Sequence, residues 1–279
     1  MDETLPTTPI VSGKHHTEPS VFRPENLLRE ARRQKGLPDL RTPRVCVLDP
    51  DGDLVRHLVA QGRARLDPAW ACYHTELHRF EDDGFEFGVV GCAVGAAFAV
   101  LIAEQLFASG CDLLLSMTSA GQLTTVGAPP PYFVLIDRAL RDEGVSYHYL
   151  PPSEFSSAAG DLLNAVEGAF ARLRAPVIRG ATWTTDAPFR ETAVQIAAMQ
   201  ARGLLAVEME AAGLYAFAQA QGRRVLCFAH VTNQMGQVGD FEKGEADGAV
   251  DALSVLTAAT SRLLRYDASA MGAEHGGSG

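Results

Sequence analysis

Two glutamates that flank a methionine inside an apolar segment have the types and spacing needed for chemistry. Glu208 and Glu210 enclose Met209 within the otherwise apolar stretch 204–218. An ionised carboxylate only accepts hydrogen bonds, so the pair suits sugar hydroxyl groups, while a methionine side chain can cover an apolar ring face. The same residues also suit an amphipathic helix with two solvated glutamates. Residue types alone leave both interpretations open.

Glycines and hydroxyl residues follow two other apolar runs. Gly91 and Gly95 lie between a predicted strand and a predicted helix, where glycine permits close backbone approach and the helix N-terminus attracts anions. Thr118 and Ser119 close the next apolar run, where hydroxyl and backbone N–H groups can hold a phosphate or a sugar. Each segment also suits a turn with only a packing role. The pattern therefore makes these residues candidates for ligand binding.

Aromatic and amide side chains supply a third group of candidates. Phe189 and Trp183 offer flat apolar surfaces on which a base could stack. Asn233 and Gln234 end an apolar run and carry the paired donors and acceptors that recognise the edge of a heterocycle. Asp186, in the segment of Phe189, equally suits a structural cap before the next helix.

The elements that must position these residues alternate between apolar strands and amphipathic helices. This alternation predicts an α/β fold with one domain, built on a mixed, mostly parallel central sheet flanked by helices. Gly-rich turns then lie at the carboxyl edge of the sheet, where ligands bind in such folds. We expect a disordered tail over residues 1–19, a domain over 20–266 and a second disordered tail over 267–279.

Composition excludes several classes of function. With 34 acidic and 24 basic residues, the chain of 279 residues carries a net charge of −10. This charge argues against general binding to nucleic acid and against docking on anionic lipid. The five cysteines are scattered and, with the histidines, show no metal-ligand spacing, so reduced thiols and no metal are expected. Residues 1–18 lack the apolar core of a signal peptide, and no apolar run reaches membrane-spanning length. A cytoplasmic protein is predicted.

In this order and spacing, the segments resemble the nucleoside phosphorylase family, which includes purine nucleoside phosphorylases, uridine phosphorylases and related nucleosidases. The resemblance covers residues 44–265, and its strongest part is Val207-Glu-Met-Glu-Ala-Ala-Gly213. It implies that Met209 and Glu210 hold a ribose, with Glu208 beside the sugar and base. It also implies that Ser119 binds the nucleophile and that Phe189 and Arg190 lie near the base.

The sequence departs from the family where phosphate binds. Family phosphorylases surround phosphate with arginines, but Ser116, Gly52 and Tyr73 stand at the three matching positions. Losing an arginine removes charge-assisted hydrogen bonds of roughly 1.5–3 kcal/mol each. Arg79 and Arg190 are the candidates to replace them.

The residues expected to contact the base are similar to those of uridine phosphorylases. Purine-specific members and nucleosidases have an aspartate that protonates the base, whereas Asn233 stands here, as asparagine does in uridine phosphorylases. Their next residue is an arginine, and Gln234 takes its place. A pyrimidine, or another base that leaves with hydrogen bonds instead of an acid, is therefore favoured.

The resemblance implies cleavage of a nucleoside N-glycosidic bond, by phosphorolysis to the base and ribose 1-phosphate. The alternatives are a hydrolytic nucleosidase that uses water and a nucleoside-binding relative without turnover. A homo-oligomer is implied, with phosphate as co-substrate and no other cofactor. The predicted site comprises three catalytic residues and seven that bind substrate: Glu208, Glu210 and Asn233; Met209, Phe189, Arg190, Gln234, Thr118, Ser119 and Gly91.

Overall fold

Buried strands form the centre of the protein. The computed structural model describes residues 8–234 and 243–275, with side chains over 8–233 and 243–266. Within these residues ten strands form one sheet. They are β1 Val45–Asp49, β2 Ala64–Leu66, β3 His78–Asp82, β4 Phe85–Gly91, β5 Leu113–Gln122, β6 Tyr132–Asp142, β7 Phe155–Ser157, β8 Val177–Thr185, β9 Ala206–Glu208 and β10 Arg224–Gln234.

Helices cover the sheet and include two that are buried along most of their length. The α-helices are α1 Pro24–Lys35, α2 Asp53–Ala60, α3 Ala96–Ala108, α4 Ser146–Tyr149, α5 Gly160–Ala165, α6 Ala193–Ala201, α7 Ala211–Gln221 and α8 Ala249–His275. Short 3-10 turns span Pro188–Arg190 and Glu245–Gly248. Every residue of α7 from Ala211 to Ala218 is buried. Its N-terminus is therefore fixed firmly beside the sheet.

The strand pairings close part of the sheet into a ring. The order is β10-β6-β8-β9-β5-β1-β4-β3-β2, and β10 also pairs with β5. Strands β5, β10, β6, β8 and β9 thus form a closed path, while β7 pairs with β6 from outside it. Because β5 and β10 run parallel, their polar C-terminal residues lie at the same end of this ring, whereas β8 runs in the opposite direction.

The predicted α/β class, with one mixed sheet between helices, is confirmed. Antiparallel pairing is more extensive than the sequence indicated, since β10–β6, β2–β3, β3–β4, β5–β9 and β6–β7 all run antiparallel. The hairpin β3–β4 and the short strands β2, β7 and β9 account for most of the difference. The parallel pairs are β1–β4, β1–β5, β10–β5, β6–β8 and β8–β9.

The structure describes part of each predicted tail, and two residues of the first tail make contacts with α4. Of residues 1–19, residues 8–19 are described; Lys14 Nζ lies 3.2 Å from His148 Nδ1, and His16 Nε2 lies 3.1 Å from the Tyr147 carbonyl oxygen. At the other end, α8 continues through residues 267–275 of the second predicted tail. In the described part of the chain, no helix combines the length and apolar character needed to cross a membrane.

Candidate active site

Glu210 joins three separate elements at the open end of the ring. It directly precedes α7, and its side chain is 1% exposed. Its Oε1 accepts the backbone N–H of Gly95 at 2.7 Å, just before α3. Its Oε2 accepts the hydroxyl of Thr118 at 2.7 Å, from β5. The carboxylate is therefore held by a strand end and by the start of a second helix, as a residue that positions a ligand requires.

Burial makes the ionised form of Glu210 costly. Loss of water, followed by the negative charge of Glu208, raises the pKa of Glu210 to about 7, although the bonds from Gly95 and Thr118 oppose the shift. The group can therefore change protonation state near neutral pH. Such a shift is common among residues of functional sites.

Both carboxylate oxygens of Glu208 accept hydrogen bonds from other residues of the protein. Its Oε2 accepts the backbone N–H groups of Glu210 and Ala211, each at 2.7 Å. Its Oε1 accepts the hydroxyls of Thr182, at 3.1 Å, and Thr184. Burial raises its pKa, and these four bonds work against that shift. Glu208 therefore fixes the turn that carries Glu210, and its negative charge acts on the Glu210 carboxylate.

Met209 separates the two buried carboxylates and is only half-buried. Its backbone N–H lies 3.3 Å from Glu210 Oε2. Within Glu208–Glu210 only the Met209 side chain is partly exposed. The covering role expected of Met209 stays a prediction.

The C-terminal half of β5 meets the turn between β1 and α2. The backbone N–H of Ser119 donates to Asp51 Oδ2 at 2.9 Å. Asp49, 3% exposed, accepts the backbone N–H of Val55 at 2.9 Å, and burial raises its pKa to about 7. Asp49, Asp51, Thr118 and Ser119 line one small pocket. The predicted hydroxyl pair thus faces an acidic turn.

Gly91 lies against the same turn. It pairs with Asp49 across β1 and β4, and a Cβ at position 91 would approach Val55 Cγ1 to 2.6 Å and Gly52 Cα to 3.4 Å. Close packing therefore explains the glycine. Gly95, which the sequence identified only as part of a glycine-rich turn, supplies the N–H group that holds Glu210.

The predicted base-binding residues lie at two places. Asn233 pairs with Gly121 where the β10–β5 register shifts, so it lies at the strand end that carries Ser119. The side chain of Gln234 is outside the described residues. Phe189 is 98% exposed and Arg190 is also exposed, in the turn after β8. The structure therefore brings Asn233 to the end of the ring and leaves Phe189 at the surface.

Arg79 cannot replace a phosphate-binding arginine in this structure. Its guanidinium pairs with Asp67 at 2.6 Å and with Glu86 at 3.0 Å, in the β3–β4 region. Ser116 is 1% exposed, and its hydroxyl has no hydrogen-bond partner. Tyr73 donates its hydroxyl to Gln34 at 2.8 Å. The three positions at which family phosphorylases have arginine therefore hold a glycine, a buried serine and a tyrosine whose hydroxyl is already hydrogen-bonded.

Sequence reasoning missed Asp51 and His230. The Asp-Pro-Asp-Gly segment indicated a turn and, at Gly52, a position where family members have an arginine, but nothing local to it predicts contact between Asp51 and Ser119. His230 is 5% exposed, stacks on Phe133 with ring centroids 4.7 Å apart, and lines the pocket of Asp51. Burial lowers its pKa to about 4, so it is neutral at pH 7. Among the described residues, no group of three or more His, Cys, Asp or Glu side chains could hold a metal ion.

Known proteins resemble this chain in sequence and in fold. Purine nucleoside phosphorylase DeoD-type from Colwellia psychrerythraea is 27% identical over 154 residues, which cover 54% of this chain and 65% of that relative. Uridine phosphorylase from Vibrio fischeri ES114 has a similar fold in two crystal structures, one of them complexed with 6-hydroxy-1-naphthoic acid. The TM-scores are 0.65 and 0.64 at 16% identity, over 83% and 82% of this chain and 93% and 94% of those chains.

The sequence profile of one family covers both the sheet and the site. It matches residues 44–264, a range that includes the Asp51 turn, the Thr118–Ser119 strand end and the Glu208–Glu210 segment. The resemblance predicted over residues 44–265 is thereby confirmed, and the chain belongs to the Phosphorylase superfamily.

Proposed function

We propose that this protein cleaves the N-glycosidic bond of a nucleoside. The observation that carries the proposal is the buried carboxylate of Glu210, fixed between the Gly95 N–H and the Thr118 hydroxyl at the end of the strand ring. A sugar hydroxyl can take the place of the Thr118 hydroxyl on Oε2 without leaving the carboxylate unpaired. Met209 then covers the apolar face of the ribose.

Cleavage proceeds through a ribosyl group that develops positive charge at its anomeric carbon. Glu210 holds the ribose, and the charges of Glu208 and Glu210 favour that developing cation in a site with little water. Asn233, Gln234 and Arg190 are proposed to donate hydrogen bonds to the departing base, and Phe189 to stack on it. Because asparagine is not an acid, the preferred base is one that leaves without full protonation, as in uridine phosphorylases.

Phosphorolysis is the first candidate reaction. Membership of the Phosphorylase superfamily supports phosphate as the nucleophile, with Thr118 and Ser119 as its binding residues. The products are then the free base and ribose 1-phosphate. No cofactor other than the phosphate co-substrate is proposed.

Hydrolysis is the second candidate, and one contact favours it. The Ser119 N–H, a donor suited to a phosphate oxygen, already binds the Asp51 carboxylate at 2.9 Å. An anionic nucleophile would meet that charge, whereas water would not. The products would then be the free base and free ribose.

The proposal extends to the assembly and location of the protein. We propose a homo-oligomer in which a neighbouring chain covers the exposed Phe189, which is otherwise fully open to solvent. The five free cysteines fit a reducing compartment and support a cytoplasmic location.

The test is a panel of ribo- and deoxyribonucleosides incubated with the purified protein, with and without phosphate, and analysed by NMR. Ribose 1-phosphate formed only with phosphate identifies phosphorolysis, and free ribose formed without phosphate identifies hydrolysis. A nucleoside that binds but stays intact, with an affinity that Glu210→Gln alters, identifies a binding protein and contradicts catalysis. The proposal fails entirely when no nucleoside binds or reacts.

A further inference from the structure

A segment that precedes the family match lies along the turn between β6 and α4. Residues 10–16, the N-terminal segment, come before residue 44, where the match to the Phosphorylase superfamily begins. Every second residue of this segment is half-buried, and those between are exposed. The half-buried residues are Ile10, Ser12, Lys14 and His16. One side of the N-terminal segment therefore faces the protein.

Two of the half-buried residues contact α4. His16 Nε2 donates to the carbonyl oxygen of Tyr147 at 3.1 Å, and Lys14 Nζ lies 3.2 Å from His148 Nδ1. The Tyr147 hydroxyl in turn donates to the carbonyl oxygen of Arg141, in β6, at 3.0 Å. The N-terminal segment is therefore connected to the elements on both sides of the β6–α4 turn.

Gly144, in this turn, meets both the N-terminal segment and the loop after β8. A Cβ at position 144 would lie 3.8 Å from Ile10 Cδ1 and 3.6 Å from Asp186 Oδ2. The Gly144 N–H also donates to Asp186 Oδ2 at 2.8 Å. Asp186 begins the loop that carries Phe189 and Arg190. Ile10 and this loop therefore meet at the same glycine.

The β6–α4 turn also packs against the first part of α7. Val145 Cγ1 would lie 2.6 Å from a Cβ at position 213, in the helix that directly follows Glu210. A displacement of the turn would therefore reach both the loop 186–190 and this helix. The contacts of the N-terminal segment oppose such a displacement.

We propose that Ile10 and His16 are positioning residues that hold the β6–α4 turn and, through Gly144, the loop 186–190. This inference rests on the proposed function, which assigns Phe189 and Arg190 to the base of the nucleoside. Neither positioning residue touches the substrate. They restrict the loop before a nucleoside binds, which lowers the entropy lost on binding.

The experiment compares hydrogen–deuterium exchange in two variants of the full-length protein with that of the wild type. The double variant Ile10→Ala/His16→Ala removes the contacts to the turn and to α4. The matched control is Val11→Ala/His15→Ala, which truncates neighbouring side chains of the same kinds that are exposed. The two variants thus differ only in which side of the N-terminal segment they change.

Exchange over residues 186–190 is the decisive measurement. The N–H groups of Ala187 and Arg190 are hydrogen-bonded within this loop. We expect their exchange to quicken about fivefold or more in Ile10→Ala/His16→Ala and less than about twofold in the control. Residues 85–91, in β4, should exchange as in the wild type.

A third variant tests whether the effect passes through Gly144. Asp186→Ala removes the acceptor of the Gly144 N–H, so exchange over 186–190 should quicken with this change alone. Adding Ile10→Ala/His16→Ala should then change it by less than about twofold, because both changes break the same connection. Independent, multiplying effects would contradict the role of Gly144.

Three results would overturn the inference. The first is exchange over 186–190 that stays at the wild-type rate in Ile10→Ala/His16→Ala, and the second is an equal acceleration in the control. The third is an acceleration that includes residues 85–91 to the same degree, since this means a general loss of stability. Circular dichroism establishes that the variants are folded, and His16→Ala alone replaces the double variant when that is not.

Failure of this inference can be told apart from failure of the proposed function, because exchange needs no reaction. Faster exchange without cleavage of any nucleoside supports the positioning role and contradicts the proposed function, and cleavage with unchanged exchange does the reverse. With uridine as substrate, Ile10→Ala/His16→Ala should raise KM about fivefold or more, whereas a loss of folded protein would lower kcat and leave KM unchanged. Faster exchange with an unchanged KM would contradict the link between the loop and the base.

Discussion

The carboxylate of Glu208 accepts the backbone N–H of Glu210 at 2.7 Å, so one predicted site residue holds the main chain of the other. The same oxygen accepts the N–H of Ala211, which begins α7. A carboxylate at a helix N-terminus satisfies donors that the helix leaves open and interacts favourably with its dipole. Glu208 is therefore a positioning residue for Glu210, and its threonine partners become the means to test this role.

Thr184 should matter more to stability than Thr182. The Thr184 hydroxyl donates to Glu208 and also accepts the N–H of Ala212 at 3.0 Å, whereas the Thr182 hydroxyl donates only to Glu208. Both side chains are fully buried. Thr184→Val leaves a buried N–H without its acceptor, and we expect it to lower the free energy of unfolding by about 2–4 kcal/mol. Thr182→Val, the matched control, should cost about 1 kcal/mol. Denaturant unfolding measures both, and equal losses would contradict the two-sided role of Thr184.

The Glu208–Glu210 segment illustrates how far the sequence predicts the site. Two acids in an apolar run left two interpretations open, ligand-binding carboxylates or a solvated helix face, and the structure buries both side chains to at most 2% exposure. The partners could not be predicted, because Thr118, Thr184 and Gly95 come from distant parts of the chain. Such contacts depend on the closure of the strand ring, which no local pattern encodes.

The same distinction applies to the elements of the fold. The apolar run at 113–117 predicted a strand, and β5 is found there but continues to Gln122 through Ala120 and Gly121, residue types that are depleted in strands. Pairing with both β10 and β9 stabilises that extension. Strands β2 and β3 were not predicted, because their polar residues form a hairpin edge without alternating apolar positions. Tertiary pairing outweighs propensity in both cases.

The buried Glu210 should make stability depend on pH in a defined direction. Its pKa is about 7 in the folded protein against 4.5 for the free group, so the folded state binds the extra proton between these values. Stability from this group is therefore lost as the pH rises from about 4.5 to about 7. Glu210→Gln removes the cost of the buried charge. Relative to the wild type, it should gain up to about 3 kcal/mol between pH 5 and pH 8.

Unfolding by urea at both pH values measures this difference. Glu167→Gln, on an exposed part of the surface, is the control and should keep a constant difference from the wild type. Asp49, whose pKa is also raised to about 7, is present in all three proteins and cancels in the comparison. A Glu210→Gln variant that gains nothing at the higher pH would contradict the burial of a charged carboxylate.

Nucleoside cleavage should need Glu210 in its ionised form. We expect Glu210→Gln to lower kcat/KM by about 100-fold or more, equivalent to about 3 kcal/mol of transition-state stabilisation. In the wild type kcat/KM should fall as the pH drops below about 7, since the carboxylate gains a proton there. Steady-state rates across pH 5–9 measure this, with Glu167→Gln as the control. A rate independent of pH through this range would contradict the role assigned to the Glu210 charge.

Gly213 should be essential for the close packing of α3 against α7. A Cβ at this helical position would lie 2.6 Å from Val145 Cγ1 and 2.9 Å from Ala96 Cβ, so one of these elements must move. Ala96 follows Gly95, whose N–H holds Glu210, and the displacement should therefore reach the site. Gly213→Ala should cost about 1–3 kcal/mol of stability and also weaken nucleoside binding.

Gly160→Ala is the matched control, because its Cβ meets nothing within 4 Å. Alanine at that helix start should leave stability unchanged or raise it by up to about 1 kcal/mol. Thermal unfolding and calorimetry with a nucleoside measure both effects. Normal stability and binding in Gly213→Ala would mean that α3 and α7 can separate without disturbing Glu210.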